Sequence, residues 1–191
     1  MSSGQAQYVG RENLEVMEDA HNYNRWLVEL AAACFKPNDM VLDFGAGTGI
    51  LTRMLRDRGL RMLAIEPDEA MARELESAGF DTERSLDAVA DGSVAGIVSF
   101  NVLEHIEDDV RAVRALRGKL RAGGMLFLYV PAFPLLFSSM DRQVGHLRRY
   151  RRRSLITLVE RCGFRIEVCR HADSIGFLAA LAFRVFGPRS G

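Results

Sequence analysis

Cysteine is scarce in this 191-residue chain: there are three, Cys34, Cys162 and Cys169, and none belongs to a CxxC pair. They sit inside apolar helix or strand patterns, which excludes a disulfide framework and leads us to expect reduced thiols in a cytoplasmic protein. An excess of one charge is also missing, because 25 basic side chains offset 25 acidic ones. No global field therefore argues for a nucleic-acid partner or a membrane surface. The longest apolar run, residues 175–186, is too short to span a bilayer. The opening residues, Met1 to Gln5, place no basic stretch ahead of an apolar run, so no signal peptide is expected. Internal repeats and linkers are lacking too. The four histidines, His21, His105, His146 and His171, show no ligand spacing, so no metal site is expected.

What is present suits one α/β domain with a real core, spanning 1–191: 48% of residues are hydrophobic and 26% charged. Runs of strand length alternate with helical patterns, which predicts a doubly wound, mostly parallel sheet covered on both faces. An N-terminal helical cap is expected over about 10–36, then a buried strand over 40–44, a glycine loop and a helix over 50–58. Further strands are predicted at 61–66, 80–84, 94–100, 125–130 and 164–170, six in all. Ser154 is the expected cap of a helix running to Cys162, and Gly123-Gly124 the expected turn into the fifth strand. Residues 131–153 show no period. A loop that long in a compact domain is usually functional or disordered, and with Pro131, Phe133, Pro134 and Phe137 it reads as a mobile substrate flap.

The central motif is Asp43-Phe44-Gly45-Ala46-Gly47-Thr48-Gly49, between a strand and a helix. Glycines there let the backbone turn sharply and come close to a ligand, where a Cβ would clash. An acid roughly 20 residues on, here Glu66 at the end of the next strand, can hold ribose hydroxyls. A dinucleotide loop wants G-x-G-x-x-G, but here the third glycine comes one residue early and Ile50 fills its place. The Gly-Lys-Ser/Thr of a phosphate-cradling loop is absent as well.

These segments resemble class I S-adenosylmethionine (SAM)-dependent methyltransferases. VLDFGAGTG (41–49) is similar to their first motif, AIEPDEAM (64–71) to their second-strand acidic motif and NVLEHIEDD (101–109) to the segment after their fourth strand. AHNYNRWL (20–27) and GHLRRYRRRSL (145–155) resemble one bacterial branch, the type 11/12-like methyltransferases. The resemblance implies SAM as cofactor and S-adenosylhomocysteine as product. Gly45, Ala46, Gly47 and Gly49 would pass under the methionine and ribose, Asp43 would anchor the methionine amino end, and Glu66 would take the ribose hydroxyls. Pro67 would flank the adenine, with Leu86 or Asp87 at its edge. Asn101 and Val102 would offer backbone contacts to the methionine part, and Tyr23 and Trp26 would close the pocket. The family often carries an acid near the start of the fourth strand, where this chain has Ala95. It usually adds an antiparallel seventh strand, and no run of strand length follows residue 170. A shortened sheet is expected, its edge and the helix over 175–186 covered by further chain, a second copy in a homodimer or an apolar ligand.

Some residues keep two readings. Tyr23 and Trp26, three apart on a helix, suit core packing as well as pocket closure. Arg142, His146 and the run Arg148 to Arg153 suit a solvated basic face. Yet cations at a helix N-terminus oppose the dipole, so acidic partners within the fold or an anionic ligand should offset them. For an anionic acceptor, Arg148 and Arg149 are the expected substrate contacts. The acceptor is expected to be a small molecule or of lipid or glycan type, methylated on oxygen or nitrogen. His146, His105 and Tyr150 are the candidate bases. The reading from a different class is a SAM-binding interaction module without catalysis; a nicotinamide oxidoreductase is a third.

Overall fold

The computed structural model describes residues 21–172. Among these, five parallel strands lie in the order β3-β2-β1-β4-β5: β1 (Met40–Phe44), β2 (Arg61–Ile65), β3 (Asp81–Glu83), β4 (Val94–Phe100) and β5 (Leu120–Tyr129). The helices are α1 (His21–Ala32), α2 (Ile50–Arg56), α3 (Glu69–Ser77), α4 (Asp109–Lys119), α5 (Ser139–Gln143) and α6 (Arg152–Arg161). The chain winds outward from β1 through β2 to β3, then returns to β4 on the other side of β1. That reversal opens a crevice at the carboxyl ends of β1 and β4, where open α/β sheets take their ligands.

Alternation along the strands sorts the core into two faces. Val41 and Val98 pack with Leu27, Val28 and Ala31 of α1, Leu55 of α2 and Leu75 of α3. Their neighbours Leu42 and Ile97 point the other way, toward Leu116 of α4. All seven residues of β4 are buried, as a central parallel strand requires. Asp68 starts α3 by accepting from the backbone N–H of Ala70 and Met71 at 3.0 Å each.

Three sequence expectations are corrected. Residues 164–170 form no strand: Phe164 and Ile166 pack against the cluster of Leu103, Val113 and Tyr150, Val168 is exposed, and the Arg152 guanidinium takes the Cys169 carbonyl at 2.8 Å. The described sheet therefore has five strands, not six. β5 begins at Leu120 rather than 125, and Gly123-Gly124 lies inside it, where its register against β4 shifts. α6 starts at Arg152, so Ser154 stands in its first turn, where its Oγ accepts from the Arg151 N–H at 3.1 Å. The helix expected at 175–186, and the part of the N-terminal cap before residue 21, lie outside the described residues.

Candidate functional site

The glycine loop leaves β1 and turns into α2 with Gly45, Gly47 and Gly49 all in the left-handed region, at φ 80°, 56° and 77°. A Cβ on Gly45 would meet Val102 Cγ2 at 2.5 Å, so the loop and the exit of β4 touch only because the side chain is missing. The N–H groups of Gly45 and Ala46 both donate to the Ile65 carbonyl, at 2.9 and 3.1 Å, which ties the loop to the end of β2.

Two carboxylates flank this loop. Glu66, nearly buried, accepts from the Gly47 N–H at 2.8 Å and from the Asp68 N–H at 2.9 Å. A carboxylate offers about four acceptor positions, so these two bonds do not exhaust it. Asp43, 2% exposed, accepts from the Thr52 hydroxyl at 2.6 Å. Burial pushes the Asp43 carboxyl up to about 6, against the Thr52 hydrogen bond and helped by the charge of Glu66. Burial also raises Glu66, against its two backbone hydrogen bonds. Neither acid is paired with Lys or Arg among the described residues. A crevice with a cradle that a Cβ would fill and two uncompensated carboxylates fits a ligand bearing positive charge and ribose hydroxyls. SAM, with its ammonium and sulfonium, is such a ligand.

The other residues expected to contact the cofactor are placed as follows. Asn101 takes a left-handed φ of 53° at the end of β4, and its N–H donates to the Tyr129 carbonyl at 2.8 Å. Tyr23 donates to the Tyr129 hydroxyl at 2.8 Å and stacks at a tilt on Trp26, 5.9 Å between centroids. Trp26 is 37% exposed, so the tyrosine belongs to the packed wall while the indole rims it. Pro67 is exposed at the end of β2. Leu86 packs into the core beside Ile65, and Asp87 is exposed beyond it.

Beyond Val102 the chain makes a single 3-10 turn, Leu103–His105, and the structure brings the segment after α5 against it: the Leu147 N–H donates to the Glu104 carbonyl at 2.8 Å. Two of the candidate bases meet there, with His105 and His146 rings 4.8 Å apart. Tyr150 reaches the start of the same turn, its hydroxyl 3.2 Å from the Leu103 carbonyl. Its buried hydroxyl donates to Asp109 Oδ2 at 2.9 Å, and burial, then that bond to Asp109, pushes its pKa up, away from any role as a base. The arginines find acidic partners within the fold. Arg149 grips Asp141 through two bonds of 2.7 and 2.9 Å, and Arg148 binds Asp109 at 3.0 Å and the Glu107 carbonyl at 2.8 Å. An open groove of about 620 Å³ between α4 and α6 carries Arg148, Arg149, Arg153 and Arg161, but shares no residue with the glycine loop.

Sequence reasoning missed Thr52, Tyr129, Asp141 and the place of Glu104. Only Asp141 had a local signal: Ser138-x-x-Asp141 forms the capping box of α5.

A family model described as a methyltransferase domain matches residues 16–168. A methyltransferase of Staphylococcus carnosus is 27% identical over 157 residues, 80% of this chain and 72% of that protein. A ubiquinone biosynthesis O-methyltransferase of Xanthomonas axonopodis pv. citri is 29% identical over 119 residues, 56% of this chain, which spans 50% of that relative. A chain from the complex between the Haloferax volcanii Trm112 methyltransferase activator and a methyltransferase superposes with a TM-score of 0.70 at 17% identity, covering 94% of this chain and 92% of its own. A SAM-dependent methyltransferase from Archaeoglobus fulgidus gives 0.64 at 16%, covering 86% and 84%. At these identities the structural likeness speaks for the fold.

Proposed function

Because this chain belongs to the methyltransferase domain family, a class I SAM-dependent family, that residues 16–168 match, we propose that it moves a methyl group from SAM to a small-molecule or lipid- or glycan-type acceptor, on oxygen or nitrogen. The observation that carries the reading is the glycine loop with Asp43 and Glu66 at the β1/β4 switch point. SAM supplies an already activated methyl, so the chain's task is to hold the donor and align a nucleophile.

In this reading the backbone of Gly45, Ala46, Gly47 and Gly49 lies against the donor, and Glu66 uses its free lone pairs for the ribose. Asp43 offsets the donor's positive charge from its buried position. Asn101 and Val102 line the methionine end, Pro67, Leu86 and Asp87 the adenine end, and Tyr23 and Trp26 close the side. His105 and His146 are then the acceptor-side groups, while Tyr150 serves the fold. Arg148 and Arg149 meet an anionic acceptor only by loosening their bonds to Asp109 and Asp141.

Calorimetric titration with SAM tests the donor site. Glu66→Ala should weaken binding by about 1–3 kcal/mol, because buried ribose hydroxyls lose a charged acceptor. Unchanged affinity in that variant would remove the ribose assignment. Turnover to S-adenosylhomocysteine across an acceptor panel separates an enzyme from a SAM-binding module.

A further inference from the structure

We propose that Glu104, His105 and His146 form a binding site for one divalent transition-metal cation, with one carboxylate and two imidazole ligands. One ligand atom from each residue lies within 4.8 Å of the others. The Glu104 side chain is fully buried, and neither of its oxygens has a hydrogen-bond partner on another residue. Folds seldom leave a buried polar group so, and a bound ion is one of the arrangements that accounts for it. His146 Nε2 stands 3.7 Å from Glu104 Oε1. That is too long for a hydrogen bond. It is close to the separation of about 3.4 Å between two ligands of one tetrahedral ion with bonds near 2.1 Å.

The rings are already oriented for this task. His146 Nδ1 lies 2.9 Å from Asp141 Oδ1, and His105 Nδ1 lies 3.2 Å from the Gly145 carbonyl. Both partners accept: the Asp141 carboxylate takes two bonds from Arg149 and one from the Ser138 N–H, and the Gly145 carbonyl has no proton to give. Each Nδ1 therefore carries the hydrogen, and each Nε2 is left with a lone pair. Metal-bound histidines are held in this way, the far nitrogen donating to a carboxylate or carbonyl that fixes tautomer and ring. Arg149, doubly bonded to Asp141, braces the arrangement one step further out. Two nitrogens and one oxygen suit zinc, cobalt, manganese or iron rather than calcium or magnesium, which favour all-oxygen sets. Three protein ligands leave a coordination position open. The site follows Asn101 and Val102 directly, beside the crevice at the carboxyl edge of β4.

The test is a titration of the chelator-treated whole chain with Co²⁺, followed by visible absorption and thermal melting. One equivalent should bind, with d–d bands of nitrogen–oxygen coordination and a raised melting temperature. His105→Ala and His146→Ala should each weaken binding by roughly 100-fold or more, the upper end of what loss of even an outer-shell partner costs. His21→Ala should bind as the parent does. SAM affinity and circular dichroism report whether each variant folds. If His146→Ala does not, His105→Ala, whose ring is half-buried, carries the test. Failure of the parent to take up one equivalent, or undiminished uptake by His105→Ala, would overturn the proposal. The metal titration needs no SAM, so failure of the methyltransferase reading would show separately, as an absence of SAM binding.

Discussion

Asp43 shows at the scale of one residue what burying an acid without a cationic partner costs the fold. Its carboxyl titrates near 6 in the folded chain because it is buried, against an ordinary value of 3.8. A raised folded pKa means that the native state binds the proton more tightly. The stability this contributes is complete below the ordinary value and is lost as pH climbs through about 6. At neutral pH, with the ligand absent, the ionised group costs up to about 3 kcal/mol, two pK units at about 1.4 each. Asp43→Asn keeps an oxygen for the Thr52 hydroxyl and removes the charge. It should therefore stabilise the ligand-free chain by about 1–3 kcal/mol at neutral pH while weakening SAM binding. Below about pH 4 the gain should vanish, since the parent is protonated there in both states. Denaturant melts of both proteins at the two pH values check this; destabilisation at both would make Asp43 a structural residue. Asp43, Glu66 and the three glycines were legible in the sequence because their relation is local, a strand, a loop and the next strand's end. Thr52 as the partner of Asp43, and His146 beside Glu104, were not: 42 residues separate that second pair, and only the return of the chain after β5 joins them.

At the scale of elements, periodicity located the strands of the sheet and failed where alternation had no ladder to serve. Residues 164–170 alternate as a half-buried strand would, yet no strand pairs with them among the described residues, and Arg152 takes the carbonyl of Cys169. Residues 131–153 present the opposite case. No apolar period marks them, because polar contacts hold them: the Phe133 and Tyr150 amides donate to Tyr150 and Pro131 carbonyls at 3.1 and 2.9 Å, and Asp141 gathers Ser138, His146 and Arg149. Within the expected flap, these bonds engage Phe133 and residues 138–150, whereas Leu135 and Met140 are exposed. Hydrogen exchange should find the amides of His146, Leu147 and Tyr150 protected with or without SAM. Those of Leu135 and Met140 should exchange roughly tenfold faster in the free chain and slow when donor and acceptor bind. Fast exchange at Tyr150 in the free chain would restore a flap over the whole segment.

At the scale of the whole molecule, the order β3-β2-β1-β4-β5 sets the glycine loop of β1 beside Val102 at the exit of β4. No helix among the described residues is long and apolar enough to cross a membrane. Because the crevice is assembled from β1, β2, β4 and α1, a ligand there binds only the folded chain and must stabilise all of it. SAM at a hundred times its dissociation constant should add about 2.7 kcal/mol, and for a domain of this size each kcal/mol raises the melting temperature by about 2–4 °C, so the shift should reach roughly 5–10 °C. S-adenosylhomocysteine should act likewise, because it keeps the ammonium and the ribose. NAD should not, because Ile50 stands where its loop needs a third glycine. Gly45→Ala supplies the internal control: its Cβ would drive into Val102 from a left-handed backbone, closing the cradle and straining the turn. That variant should melt lower than the parent and lose the SAM-induced rise. A parent whose melting temperature moves with NAD and not with SAM would return the glycine loop to the dinucleotide reading, and one that moves with neither would leave the fold without its donor.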